Sequence, residues 1–363
     1  MIRPPLKWAG NKAGLLHRVL PRLPRGARLF EPCVGSGAVF LNTDYPAYVL
    51  SDTNAHLIEF YIELRDRGAQ FVSECAELFH GDNNNAEAFY RLRAEFVACP
   101  DPRRRAVLFL FLNRHGFNGL TRYNRGGGYN VPFGRFSWPY FPARELLAMS
   151  ARLQGVPLLH MDFEQAILGA QAGDVVYLDP PYTPLSATEN FTAYTAAGFT
   201  AADHARMVRA AAAARSRGVT VVISNHDTPA TRELYAAAKL YRFKAKRTIS
   251  ANSAKRRPAP ELLAVYAPRL LHLNLRGERW DQIAAGTKGE EYRLAAKWRR
   301  QLEDRSYDWI VLKRGYPCAG DMGKILFRPW RGVELRTMTH PHFGAAPVDV
   351  YAIPVQGLRN AEI

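Results

Sequence analysis

Residues 175–186 read VVYLDPPYTPLS. Val175, Val176, Tyr177 and Leu178 are β-branched, aromatic or aliphatic with no polar alternation, the pattern of a short parallel strand covered on both faces. Pro180 and Pro181 end the strand, and having no N–H groups they leave a turn rich in acceptors and poor in donors. In open α/β sheets ligands collect at the carboxyl ends of strands. Asp179, bare carbonyls and the Tyr182 ring would therefore face a ligand, and such a set suits an amino group on a planar base.

Working outward, strand and helix patterns alternate through about residue 268. ARLFEPCVGSG runs from a strand into a glycine loop, YVLSD is a second strand, and GVTVVISN follows the helix-like AADHARMVRAAAAARSRG. This predicts a doubly wound α/β sheet. Residues 56–153 break the rhythm with helical segments and the loop HGFNGLTRYNRGGGYNVPFGRF, an insertion suited to substrate recognition. Pro268 marks a boundary. Beyond it, LLHLNL, ERWDQIAAG, KGEEYRL, YDWIVLKRG, KILFRPWRGVELRTM and PVDVYAIPV predict a small β-barrel over 269–363.

The chain has 363 residues and a formal charge of +16, with a pI near 9.9. That balance is hard to explain for an enzyme of small metabolites and fits a polyanionic partner. Between Asp101 and Arg135 stand Arg103, Arg104, Arg105, Arg114, Arg122, Arg125 and Arg135 against one acid, which makes the segment a candidate footprint. Cys33, Cys75, Cys99 and Cys318 are scattered, so neither a disulfide framework nor a metal site is expected. No apolar stretch suggests a leader or a membrane span, and a cytoplasmic location is expected.

Gly35 and Gly37 lie between a strand and a helix, where backbone can approach a ligand closely. Phe40 stands where a dinucleotide fingerprint has its third small residue. Asp52 ends the next strand, where a carboxylate can accept from ribose hydroxyls. A nucleoside-bearing methyl donor without phosphates needs the close approach and the acid, but not the third glycine.

KWAGNK, FEPCVGSG, SDTN, FLFLNRHGFNGLTRYN, NVPFGRF, YLDPPYTPLSATENFTAY and ISNHDT occur in that order between residues 7 and 228. Together they resemble the Dam-type family of DNA adenine-N6 methyltransferases, over about residues 5 to 268. The resemblance implies a Rossmann-like methyltransferase sheet, S-adenosylmethionine as donor and duplex GATC as target. Trp8, Lys12, Glu31, Gly35, Gly37 and Asp52 would frame the donor, with Asp162 and Phe163 near its adenine and Asp179 beside it. Asp179, Pro180, Pro181 and Tyr182 would hold the target base. Arg122 would read a guanine edge, with Asn118 and Leu120 beside it and Phe117 wedged into the stack. Lys7 would contact a base or flank, and Arg135, Ser186 and Asn190 would meet phosphates.

Asn11, His115 and Phe117 depart from the family pattern, which more often has Gly, an aromatic and Tyr there. Two rival readings share many of these residues: methylation of another amine, such as cytosine N4 or an RNA adenine, and a non-catalytic DNA-binding protein on a methylase fold. At the other end, Gly286, Lys288, Glu291 and Arg293 in GTKGEEYR, followed by GYP, RPWRG and HPHFG, resemble an ASCH-type domain with a PUA-like barrel. This second resemblance implies a cleft at Lys288, Glu291 and Arg293 that binds RNA or a modified nucleoside; a salt-bridged strand face on a spacer is the plainer reading.

Overall fold

The computed structural model describes residues 1–124, 126–183, 198–245, 258–318 and 321–357. It divides into two compact units, one of residues 1–170, 174–214 and 220–266, the other of 171–173, 215–219 and 267–363.

The first unit holds a seven-stranded sheet. In chain order its strands are β1 (Arg28–Glu31), β2 (Ala47–Asp52), β3 (Leu158–His160), β4 (Val175–Leu178), β5 (Thr220–His226), β6 (Lys239–Ala245) and β7 (Ala259–Tyr266). In space they run β3-β2-β1-β4-β5-β7-β6. The first five are mutually parallel, and β7 is antiparallel to both neighbours. Strand order reverses between β1 and β4, the topological switch point where α/β sheets bind ligands. Every residue of β4 is buried, as its unbroken apolar run demands.

The short α1 (Leu16–Val19) precedes the sheet, and four helices leave it between β2 and β3: α2 (Ala55–Ala76), α3 (Ala86–Ala98), α4 (Pro102–His115) and α5 (Ala143–Leu153). Asn54, Asn85 and Asp101 cap the N-termini of α2, α3 and α4 with side-chain oxygens, satisfying amides that would otherwise lack acceptors. The insertion shares its core with the sheet: Leu57, Phe60 and Phe109 belong to the same buried cluster as Leu29 and Leu50. Between α4 and α5 the chain forms an irregular hairpin held by bridges Gly116 to Phe133 and Tyr123 to Tyr129. Helices α6 (Phe163–Leu168), α7 (Ala201–Ser216) and α8 (Pro229–Leu234) complete the alternation.

The basic segment does not behave as a uniform footprint. Arg104 pairs with Glu95 and Arg105 with Glu59, each at 2.6 Å, and Arg103 pairs with Glu74. Arg114 is buried, its Nε donating to the Tyr140 carbonyl at 2.9 Å. These four arginines fasten helices and hairpin to one another, because α2 and α3 bring carboxylates to the first turn of α4.

In the second unit the described residues form two three-stranded sheets. Strands β8 (Leu270–Leu275), β9 (Glu290–Leu294), β10 (Trp309–Arg314), β11 (Ile325–Pro329), β12 (Glu334–His340) and β13 (Gly344–Pro354) pair as β11-β10-β8 and β12-β13-β9. β8 and β10 are parallel; a crossover through α9 (Gly277–Ala284), β9 and α10 (Ala295–Leu302) joins them. That crossover sends β9 to the other sheet. A compact core of Leu271, Leu273, Ile283, Ile310 and Ile353 lies within this unit.

Candidate active site

The parallel strands end at one edge: β1 at Glu31, β2 at Asp52, β4 just before Asp179 and β5 at His226. Their loops enclose a cavity of about 450 Å³ lined by Trp8, Lys12, Glu31, Gly35, Asp52, Asp162, Phe163, Asp179, Pro180, Pro181 and Tyr182. This size is within the range that holds a drug-sized ligand.

Gly35 (φ +47°) and Gly37 (φ +71°) both occupy the left-handed region. The space a side chain on Gly35 would need is taken by the Trp8 indole, 2.8 Å from an ideal Cβ, and at Gly37 by Met149 of α5, at 2.7 Å. The glycines thus admit protein side chains, and Gly37 does not line the cavity. The Tyr61 hydroxyl of α2 donates to the Gly35 carbonyl at 2.7 Å. The Asp52 carboxylate accepts from the amides of Gly35 (3.1 Å) and Asn54 (3.0 Å). Burial raises its pKa to about 6 against the pull of those amides.

Glu31 is buried, and its Oε1 has no hydrogen-bond partner. Burial first, and the nearby Asp179 charge second, raise its pKa to about 8, so at neutral pH this wall carries a neutral carboxyl. A raised acid binds its proton more tightly folded than unfolded. The stability it confers is complete below the ordinary carboxyl range and disappears as pH rises through about 8. Glu31→Gln removes the titration, so the wild-type melting temperature should fall more steeply than the variant's between pH 6 and pH 9. Parallel pH profiles in thermal unfolding would refute the buried, neutral assignment.

Lys12, only 5 % exposed, lies 2.8 Å from Asp179 Oδ1 and 4.6 Å from the centre of the Tyr182 ring. It therefore touches Asp179 and Tyr182 as well as lining the cavity. Ser224 Oγ also donates to Asp179 Oδ1, at 2.7 Å. Asp162 holds Arg206 through both oxygens, at 3.0 and 2.9 Å, and that guanidinium covers the Phe163 ring at 4.5 Å.

The hairpin residues do not line the cavity but belong to the same unit. Phe117 is 47 % exposed, followed by Asn118 and Gly119, both with positive φ. The Lys7 stem packs against Gly119, its Nζ lies over Phe136, and burial with Arg114 nearby lowers it to about 8. Leu120 is partly buried against the core. Arg122 donates to the Asn130 side chain at 2.8 Å and its carbonyl at 3.2 Å. Arg135 is exposed, and Ser186 and Asn190 lie outside the described residues. His115 is buried and stacked on Phe111 at 3.9 Å, with burial lowering its pKa to about 4. It fills an aromatic's place in the core, which explains that departure.

Sequence reasoning gave no role to Ser224, Asn225, His226, Glu261 or Arg206, although ISNHDT holds the first three. The first three carry a readable signal: SNH ends the buried strand TVVISNH much as DPPY follows VVYL. Among the described residues no cluster of three or more His, Cys, Asp or Glu could hold a metal, and no helix is long and apolar enough to cross a membrane.

In the second unit, Glu291 is fully buried beside Lys288 Nζ (2.9 Å), Arg293 Nη1 (3.0 Å) and Arg279 Nη1 (3.8 Å). Three cations thus surround one carboxylate.

A parallel-rich sheet with a glycine loop, a strand-end acid and DPPY flanking its switch point defines a Rossmann-like methyltransferase. The family profile of the D12 class N6 adenine-specific DNA methyltransferase matches residues 8–249. The chain is 48 % identical over 263 residues to a DNA adenine methylase of Salmonella typhi, covering 72 % of this chain and 95 % of that one. It is 47 % identical over the same length and shares to that of Escherichia coli K12. Against the DNA adenine methylase of Vibrio cholerae O395 the figures are 44 % over 266 residues, 73 % and 96 %. The chain belongs to the D12 class of N6 adenine-specific DNA methyltransferases. Its substrate is DNA, and membership implies S-adenosylmethionine as the methyl source in general.

Proposed function

We propose that this methyltransferase modifies N6 of an adenine flipped out of duplex GATC, with the donor in the cavity at the switch point. The observation that carries the reading is the placement of Asp179, Pro180 and Tyr182 on the wall of the same cavity as Asp52 and Glu31. The residues fit the donor: Asp52 offers acceptors to ribose hydroxyls, the orphaned Glu31 Oε1 lacks a partner, and Trp8, Asp162 and Phe163 supply walls for the rest. When bound, S-adenosylmethionine supplies an electrophilic methyl group on a sulfonium.

This chain's own part is positioning. The adenine amino group is a poor nucleophile because its lone pair is delocalised into the ring. Asp179 and the Pro180 carbonyl accept its two N–H groups and so favour a pyramidal nitrogen. Both described contacts of Asp179 fall on Oδ1, which leaves Oδ2 with acceptor capacity. Tyr182 stacks on the base. Flipping costs a few kcal/mol, offset by the Phe117 wedge and the hairpin contacts. No covalent enzyme intermediate is needed.

Arg122, braced by Asn130, reads a guanine edge, flanked by Asn118 and Leu120; Lys7 meets a flanking base; Arg135, Ser186 and Asn190 meet phosphates. Arg122→Ala should relax discrimination at one position by about 1–3 kcal/mol, seen as methylation rates on singly substituted GATC duplexes. Full discrimination by that variant would sink the assignment. Modified-base sequencing of DNA from expressing cells tests the whole reading: N6-methyladenine confined to GATC is expected, and N4-methylcytosine or another site would overturn it.

The residues from about 269 onward are proposed to form an ASCH-like domain whose cleft at Lys288, Glu291 and Arg293 takes RNA or a modified nucleoside. The excess of cations around Glu291 supports an anionic or polar ligand.

A further inference from the structure

We propose that Glu261 is a positioning residue for the target adenine, anchoring the Tyr182 hydroxyl and so fixing the swing of the ring on which the base stacks. The inference rests on the reading of Tyr182 as that platform.

The argument begins at the end of β5. Its register sets Leu178 beside Ile223, so the next residues of the two strands lie side by side. Ser224 holds Asp179, as described, and the Asn225 side-chain oxygen accepts from the Thr183 amide at 3.1 Å. His226 Nδ1 lies 2.8 Å from the Thr183 carbonyl, and its ring meets Tyr182 edge-on at 4.8 Å and 77°. Three consecutive residues thus grip the turn that follows β4. Pro180 and Pro181 cannot do this for themselves, since they bring no amides to the ladder.

This grip fixes the backbone of the turn and one edge of the ring. The swing of the whole ring about Cα–Cβ remains to be set; its spin about Cβ–Cγ leaves the hydroxyl in place, because that oxygen lies on the axis, and is limited instead by the His226 edge and the Lys12 ammonium. The Tyr182 hydroxyl donates to Glu261 Oε2 at 3.1 Å. Glu261 stands opposite His226 in the antiparallel pairing of β7 with β5, so both constraints issue from adjacent strands. Burial, with the charges of Asp179 and Glu261, holds the phenol protonated far above neutrality, which keeps it a donor. With Lys12 over the ring, the ring is held at its rim, its tip and one face. A stacking platform held this way needs no reorganisation when the base arrives, and a misplacement of about 1 Å costs on the order of a hundredfold in rate.

The test is a double-mutant cycle on the full chain, read as single-turnover methylation of a GATC duplex alongside donor affinity by calorimetry. Glu261→Ala should slow methylation roughly tenfold with donor affinity unchanged. Glu261→Gln, which keeps an acceptor oxygen, should restore most of the rate. Tyr182→Phe should match Glu261→Ala, and the double variant should be no slower than either, as expected when one interaction is removed twice. Fully additive losses, or loss of donor binding in step with rate, would overturn the proposal. Should Tyr182→Ala methylate normally, the platform reading itself fails; should it be crippled while Glu261→Ala is normal, only the role of Glu261 fails.

Discussion

Asp179→Ala should abolish methyl transfer, by a factor of about a thousand or more, while donor affinity stays within roughly tenfold. The carboxylate sits where β4 stops, fixed by Lys12 and Ser224 through a single oxygen. Removing it takes away the acceptor for the amino group and leaves Lys12, 5 % exposed, without its anion. An unpaired buried charge is costly, so Asp179→Asn belongs beside it: the amide keeps the shape and an acceptor but loses the charge. Calorimetric titration of donor and single-turnover methylation separate the two roles. An alanine variant that methylates at a tenth of the normal rate, or cannot bind donor at all, would remove Asp179 from its assigned place.

Asp52→Ala should weaken donor binding by about 1–3 kcal/mol, the cost of leaving polar groups unpaired, which is about 5- to 150-fold in affinity. Part of that loss would come from the glycine loop, since the Gly35 and Asn54 amides both donate to this carboxylate. The free carboxyl titrates near 6 because it is buried. Only the ionised form accepts fully from ribose hydroxyls, so donor affinity should rise as pH increases from 5 to 7. Asp52→Asn should flatten that rise. A donor affinity independent of pH in the wild type would contradict this account.

The methyltransferase sheet was legible because its cues are local. An apolar tetrad stopped by two prolines can be read without knowing its neighbours, and so can glycines between strand and helix. Partnerships distant in sequence were not legible. Arg103, Arg104 and Arg105 looked like free charge, yet their carboxylates lie 29, 9 and 46 residues away, and only folding shows that they neutralise one another. The same holds for Lys12, whose place beside Asp179 no spacing announces. In the second unit, strand existence followed from alternation, but pairing did not. Nothing in LLHLNL or DWIVLK says that the two run parallel.

The groups that hold the Tyr182 ring by its face and its tip come from both extremes of the methyltransferase portion. Lys12 arrives near the start of the chain and Glu261 near the end of its last sheet strand, the latter 79 residues beyond the tyrosine it holds. Such long loops close slowly. A nascent chain therefore lacks the carboxylate that anchors Tyr182 until the last strand of this sheet has been made, so the proposed base site is the last part of the methyltransferase portion to be completed.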